Sequence, residues 1–164
     1  MQPTLSNRIP HLPPSSPIVS IVKGMTFVLV QLDSLETLAA VSTGAFSTDV
    51  QLDEEWKPSF TSLYFYVTLP ENHDGTRNIR TRMIEGSLED PATGSAACAL
   101  SCYLSLACGT PGRSTYKYAI TQAVEIGRKS DIGVEVTVES ENKQIGKVQL
   151  IGGAVKVMEG NIVV

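Results

Sequence analysis

Glu89 and Asp90 are the first residues to weigh for chemistry. They stand directly before a run with no charged side chain, Pro91 to Gly112. Pro91, Thr93, Gly94 and Ser95 open that run, and a series rich in alanine, leucine and cysteine follows. Proline near a helix start and glycine just past its end mark the two limits of a helix. The pattern predicts a turn feeding a helix that starts near Thr93 or Gly94 and ends near Gly109. Free N–H groups at such a start carry partial positive charge and favour a carboxylate or phosphate. Asp90 at that mouth is a candidate proton carrier or substrate orienter, since acid–base work needs a titratable group held at the reacting atom. The same carboxylate could serve simply as a helix cap. Thr93 and Ser95 carry hydroxyls that could bind an anion or cap the helix. Gly94 would let a substrate reach the backbone with no Cβ in the way.

Other chemically capable side chains have plainer readings. Arg80 and Arg82 could hold a carboxylate bidentately, or lie at the surface or a rim. Arg128, in the segment Gly-Arg-Lys-Ser, has the same two readings. Cys98 and Cys102 are four apart on one helical face, with Cys108 beyond. No histidine joins them, so metal ligation is not expected and they read as small buried hydrophobes. His11 and His73 read as solvated, and Trp56 as core or interface packing.

Elements must hold this site in place. The helix has no polar face, so it should be buried nearly all round. The segment Ser-Leu-Tyr-Phe-Tyr-Val-Thr-Leu, residues 62–69, is a strand, with Leu63, Phe65 and Val67 on one face and Tyr64, Tyr66 and Thr68 on the other. Asp74-Gly75 predicts a hairpin turn into a strand over 78–85. Residues 26–30 form another strand. Asp33 with Glu36 suggests a capping box before a short helix carrying Leu35, Leu38 and Ala39. Later strands are expected at 116–121, 122–128 (with a bend), 134–138, 144–150 and 154–158. The outcome is an α+β fold, a curled and mostly antiparallel sheet closed like a barrel around one central buried helix. Residues 1–20 carry five prolines among serines and should form a disordered tail or linker; residues 21–164 form a single domain.

Composition narrows the function. The chain has 164 residues and a net charge of −4, from 13 basic and 17 acidic side chains. That balance, without a basic cluster, does not suit a nucleic-acid partner. The uncharged run is too rich in small polar residues for a membrane span, which needs about 20 apolar residues. An odd count of three cysteines, with no apolar leader, suggests a reduced, cytoplasmic setting. No phosphate loop or metal cluster is visible, so no cofactor is expected.

The run Glu-Asp-Pro-Ala-Thr-Gly-Ser-Ala, residues 89–96, resembles the signature of the phenazine-biosynthesis (PhzF-like) family of isomerases and epimerases. The segments at 24–38, 80–84, 120–136 and 151–160 resemble the C-terminal half of that family, with Ala123 where the family has glycine. The resemblance implies a diaminopimelate epimerase-like half-domain and cofactor-independent proton transfer at carbon on a small carboxylate-bearing metabolite. It implies Asp90 as catalytic, with Thr93, Gly94, Ser95 and Ala96 holding the substrate and no metal. It also implies a site shared between two halves, with a general-base glutamate and a histidine coming from the other one. Nothing in residues 1–21 matches those motifs, so half a site is expected here, completed by a separate N-terminal-half partner or a homodimer. The alternative is a non-catalytic module that binds a small carboxylate or a protein partner.

Overall fold

A computed structural model describes residues 15–44, 50–110, 112–139 and 143–160. Most of the proline-rich stretch expected as a tail therefore lies outside the described residues. Its last three residues, Ile18 to Ser20, are not tail: they open strand β1 (Ile18–Val22), where proline no longer blocks pairing, and β2 (Met25–Gln31) follows. Next come α1 (Leu35–Ala39), a single 3₁₀ turn (Glu54–Trp56), and β3 (Phe60–Thr68). β4 (Arg77–Glu85) and β5 (Leu88–Asp90) lead into the long helix α2 (Gly94–Ala107). β6 (Thr115–Gln122), β7 (Ser130–Glu139) and β8 (Gln144–Gly152) complete the sheet.

The sheet runs in the order β1-β2-β3-β4-β6-β7-β8, with β5 alongside β4. Its pairings are antiparallel except β2 with β3 and β4 with β6, which are parallel. It curls around α2, which touches β1, β2, β6, β7 and β8. The curl stops short of closure, because β1 and β8 are the two ends of the strand order. A groove of about 470 Å³ separates them, with Cys98, Ala99 and Cys102 of α2 between Val19 and Ile21 on one side and Val148 on the other.

Two apolar clusters divide the sheet by face. Tyr64, Tyr66, Ile79 and Met83 pack with Ala96, Ala97, Leu100 and Leu104 of α2. Leu63, Phe65, Val67 and Ile84 point the other way, onto Leu38 and Val41 around α1. The alternation expected for residues 62–69 is therefore the one observed. Strands covered on both faces should read as nearly continuous apolar runs, as β2 and β3 do. Burial of Leu100 alone contributes about 1.5–3 kcal/mol.

Several local features differ from the sequence-based expectations. The α1 cap is Ser34, whose Oγ accepts the Thr37 N–H at 3.1 Å, one residue later than the capping box suggested. Residues 124–127 are a turn, not a strand, entered through Ala123 at φ +59°. Residues 153–160 are exposed and belong to no strand. The last turn of α2 is also open to solvent, with Leu106 exposed.

Candidate functional site

Helix α2 begins where β5 ends, so the pairing of β5 with β4 fixes the approach to its mouth. Asp90 sits opposite Met83 in that pairing. Its Oδ1 accepts the Ala92 N–H at 3.2 Å, and its Oδ2 accepts the Thr93 hydroxyl at 2.6 Å. Thr93 occupies the N-cap position but makes no capping hydrogen bond into the helix. Its hydroxyl is turned back onto Asp90 instead. The first N–H groups of α2, on Gly94, Ser95 and Ala96, are thus left without a side-chain cap. Such groups are the usual basis of an anion site. Ser95 is half-buried and Ala96 fully buried, so Ala96 can offer only its backbone.

A shallow depression of about 600 Å³ lies against this mouth. Ala92, Gly94, Lys129, Asp131, Leu150 and Gly152 are among the residues around it. Lys129, from the Gly-Arg-Lys-Ser segment, brings a cation to the rim and pairs with Asp131 at 3.0 Å. Both side chains are largely exposed, so this pair is easily rearranged. The close neighbour of Gly94 is Leu150: a Cβ built on Gly94 would come within 2.7 Å of Leu150 Cδ2. Leu150 is itself 55% exposed, so the start of α2 is shaded by a movable side chain.

Glu89, next to Asp90, has a different fate. Arg82 Nε donates to its Oε1 at 2.9 Å and Nη2 to its Oε2 at 2.6 Å. The two side chains are only 6% and 4% exposed. Arg82 Nη1 also donates to the carbonyls of Leu38 and Val41, at 2.9 and 2.6 Å. That guanidinium ties the end of α1 to the sheet, which corrects the surface-or-rim expectation for Arg82. Arg80 reaches Glu125 at 3.2 Å. Both arginines alternate with Ile79, Thr81 and Met83 on β4, so they face away from α2.

One residue at the site was not singled out from the sequence. Gln122, at the end of β6, has no exposed surface. Its Nε2 donates to the Asp90 carbonyl at 2.7 Å and to Thr93 Oγ1 at 3.0 Å. Its Oε1 accepts the Thr93 N–H at 3.4 Å and the Tyr64 hydroxyl at 3.1 Å. Tyr64 also lies 3.1 Å from Thr81 Oγ1, and burial pushes its phenol well above the ordinary tyrosine range. The signal available in the sequence was the resemblance at residues 120–136, where Gln122-Ala123 stands at the family's Gln-Gly, although no role was assigned to the glutamine.

The cysteines stand apart from this chemistry. Burial pushes the Cys98 thiol up, and burial followed by the neighbouring Cys98 pushes Cys102 up to about 11. Both are therefore neutral thiols near pH 7, consistent with packing.

The fold and site together define a half-barrel α+β domain with a carboxylate posted at the mouth of its enclosed helix. Residues 5–160 match the PhzC-PhzF family of phenazine biosynthesis-like proteins, and the chain belongs to that family. It is 32% identical over 143 residues to an uncharacterized isomerase of Mesorhizobium japonicum, covering 85% of this chain and 45% of that protein. Its fold is similar to the crystal structure of the Bacillus anthracis phenazine biosynthesis protein of the PhzF family. The TM-score there is 0.62 at 20% identity, over 93% of this chain and 50% of the other. The chain thus spans about half the length of the relatives it matches.

Proposed function

We propose that this chain is the half of a PhzF-like isomerase or epimerase that carries Asp90 and an anion-binding helix start. The observation that supports this reading is the mouth of α2. Thr93 spends its hydroxyl on Asp90 and leaves the Gly94–Ala96 amides to a ligand. A substrate carboxylate would lie across those amides, with Lys129 at the rim. Its neighbouring carbon would then sit within reach of Asp90. As the carboxylate, Asp90 accepts the proton from that carbon; as the acid, it returns one. Moving a proton from one carbon face or position to another without a cofactor takes a donor and an acceptor held around the same carbon. Glu89, the carboxylate next to Asp90, is committed to Arg82 in a buried pair. The second group is therefore assigned to a partner, either a separate first-half domain or a second copy.

That same shortage favours a second reading, a module that binds a small carboxylate without turnover. Solvent deuterium incorporation distinguishes the two. A panel of small carboxylic and amino acids is incubated in D₂O with the chain and a first-half domain from a relative. Incorporation that Asp90→Ala abolishes supports the enzyme. Carboxylate-induced stabilisation without incorporation supports the binding module. Incorporation unchanged in Asp90→Ala removes Asp90 from the mechanism.

A further inference from the structure

We infer that Gln122 is the positioning residue of this site: its amide clamps the 90–93 turn and aims the Thr93 hydroxyl proton at Asp90. The inference rests on the proposed role of the Asp90–Ala96 mouth. A glutamine amide has two donor hydrogens and one oxygen with two acceptor sites. In Gln122 both hydrogens and both acceptor sites are matched, three of the four contacts going to Asp90 and Thr93. This fixes which way the amide faces. Flipping it would set NH₂ against the Thr93 N–H and oxygen against the Asp90 carbonyl.

The fixed amide in turn decides a proton position. Thr93 Oγ1 accepts from Gln122 Nε2, so its own hydrogen is left to point at Asp90 Oδ2, 2.6 Å away. Because that hydroxyl is spent outward, it does not cap the helix amides. Gln122 therefore governs both functional features of the mouth, the orientation of the carboxylate and the availability of the N–H groups. Tyr64 holds the amide from behind, where no water reaches. Polar side chains fully enclosed in this way are rigid when every partner is present.

The test uses the full 164-residue chain with Gln122→Met, which keeps length and volume and removes the amide. Thr93→Val serves as the independent probe of the hydroxyl. Three signals are read by NMR: amide exchange at Ala92 and Thr93, the Asp90 carboxyl carbon shift, and the affinity for propionate. In Gln122→Met the β6–β7 amides keep their protection, whereas the bonded amides of Ala92 and Thr93 exchange about tenfold faster, one hydrogen bond's worth. The Asp90 carbon moves in the same direction in Gln122→Met and Thr93→Val, which a purely packing role would not produce. Propionate binds about tenfold more weakly to both variants.

If the unaltered chain ignores propionate, the carboxylate-site reading fails, while exchange and the Asp90 shift still decide Gln122. An Asp90 carbon unmoved in Gln122→Met, with exchange at Ala92 and Thr93 unchanged, overturns the inference. Should Gln122→Met not fold, Gln122→Asn, which retains an amide too short to reach the turn, is judged by the same signals. There too a moved Asp90 carbon supports the inference and an unmoved one overturns it.

Discussion

At the residue scale, two adjacent carboxylates divide the labour. Glu89 is enclosed and paired on both oxygens with Arg82, whose remaining nitrogen closes the end of α1. Removing one partner of a buried pair strands the other charge and typically costs about 3–5 kcal/mol. Urea denaturation of Glu89→Gln is expected to show a loss of that order, and Arg82→Leu a similar one. The double variant Arg82→Leu with Glu89→Leu should recover part of it, since no charge is then left unpaired. Asp90 is half-open, and its contacts are with its own turn. Asp90→Asn should therefore cost only about 0.5–1.5 kcal/mol, the scale of one hydrogen bond. Equal losses at the two positions would contradict this division. The adjacency Glu-Asp was legible in the sequence as a pair of candidates, but its division was not. The deciding partner, Arg82, is seven residues away across a strand pair that sequence spacing does not show.

At the scale of elements, the burial gradient along α2 can be read with its own cysteines. Cys98 is buried, Cys102 intermediate and Cys108 exposed, and all three are free. Only the thiolate is a nucleophile, and a thiol held near 11 ionises little until the solution approaches that pH. At pH 8, iodoacetamide is expected to label Cys108 first and to leave Cys98 and Cys102 intact in the folded chain. As pH rises toward 11, Cys102 joins. Early labelling of Cys98, found by peptide mapping, would show that the helix is not enclosed as described. This helix was the most legible element, because an uncharged run with a proline-glycine frame has few other solutions. The segment after β6 was the least legible. Its break depends on a left-handed backbone at Ala123, a conformation normally announced by glycine. Alanine there, with Val124 and Ile126 following, imitates a continuing strand. The α1 cap was missed by one residue for a related reason: Asp33 and Ser34 are both good caps, and only the observed extended φ and ψ at Ser34 choose between them.

At the scale of the whole molecule, the two ends of the sheet are treated unequally. β2, β3 and β4 are covered by α2 on one face and by the α1 cluster on the other. From β8 onward the chain does the reverse: Val148, Leu150, Ile151, Val155, Val157 and Met158 are all exposed, the last three at 86%, 91% and 86%. The pattern of β8 gave a strand in advance, but alternation cannot say whether a further layer covers it. An apolar surface next to a free strand edge invites pairing with another chain. The chain is expected to self-associate with rising concentration in sedimentation velocity, unless a complementary half-domain is supplied. The double substitution Val155→Lys and Val157→Lys places two charges outside the core. It should shift the distribution toward monomer while the urea midpoint stays where it was. A chain that remains monomeric up to its solubility limit would show that this surface is tolerated in water. The partner assigned to the second half of the site would then have to dock elsewhere, most directly against the depression at Gly94 and Lys129.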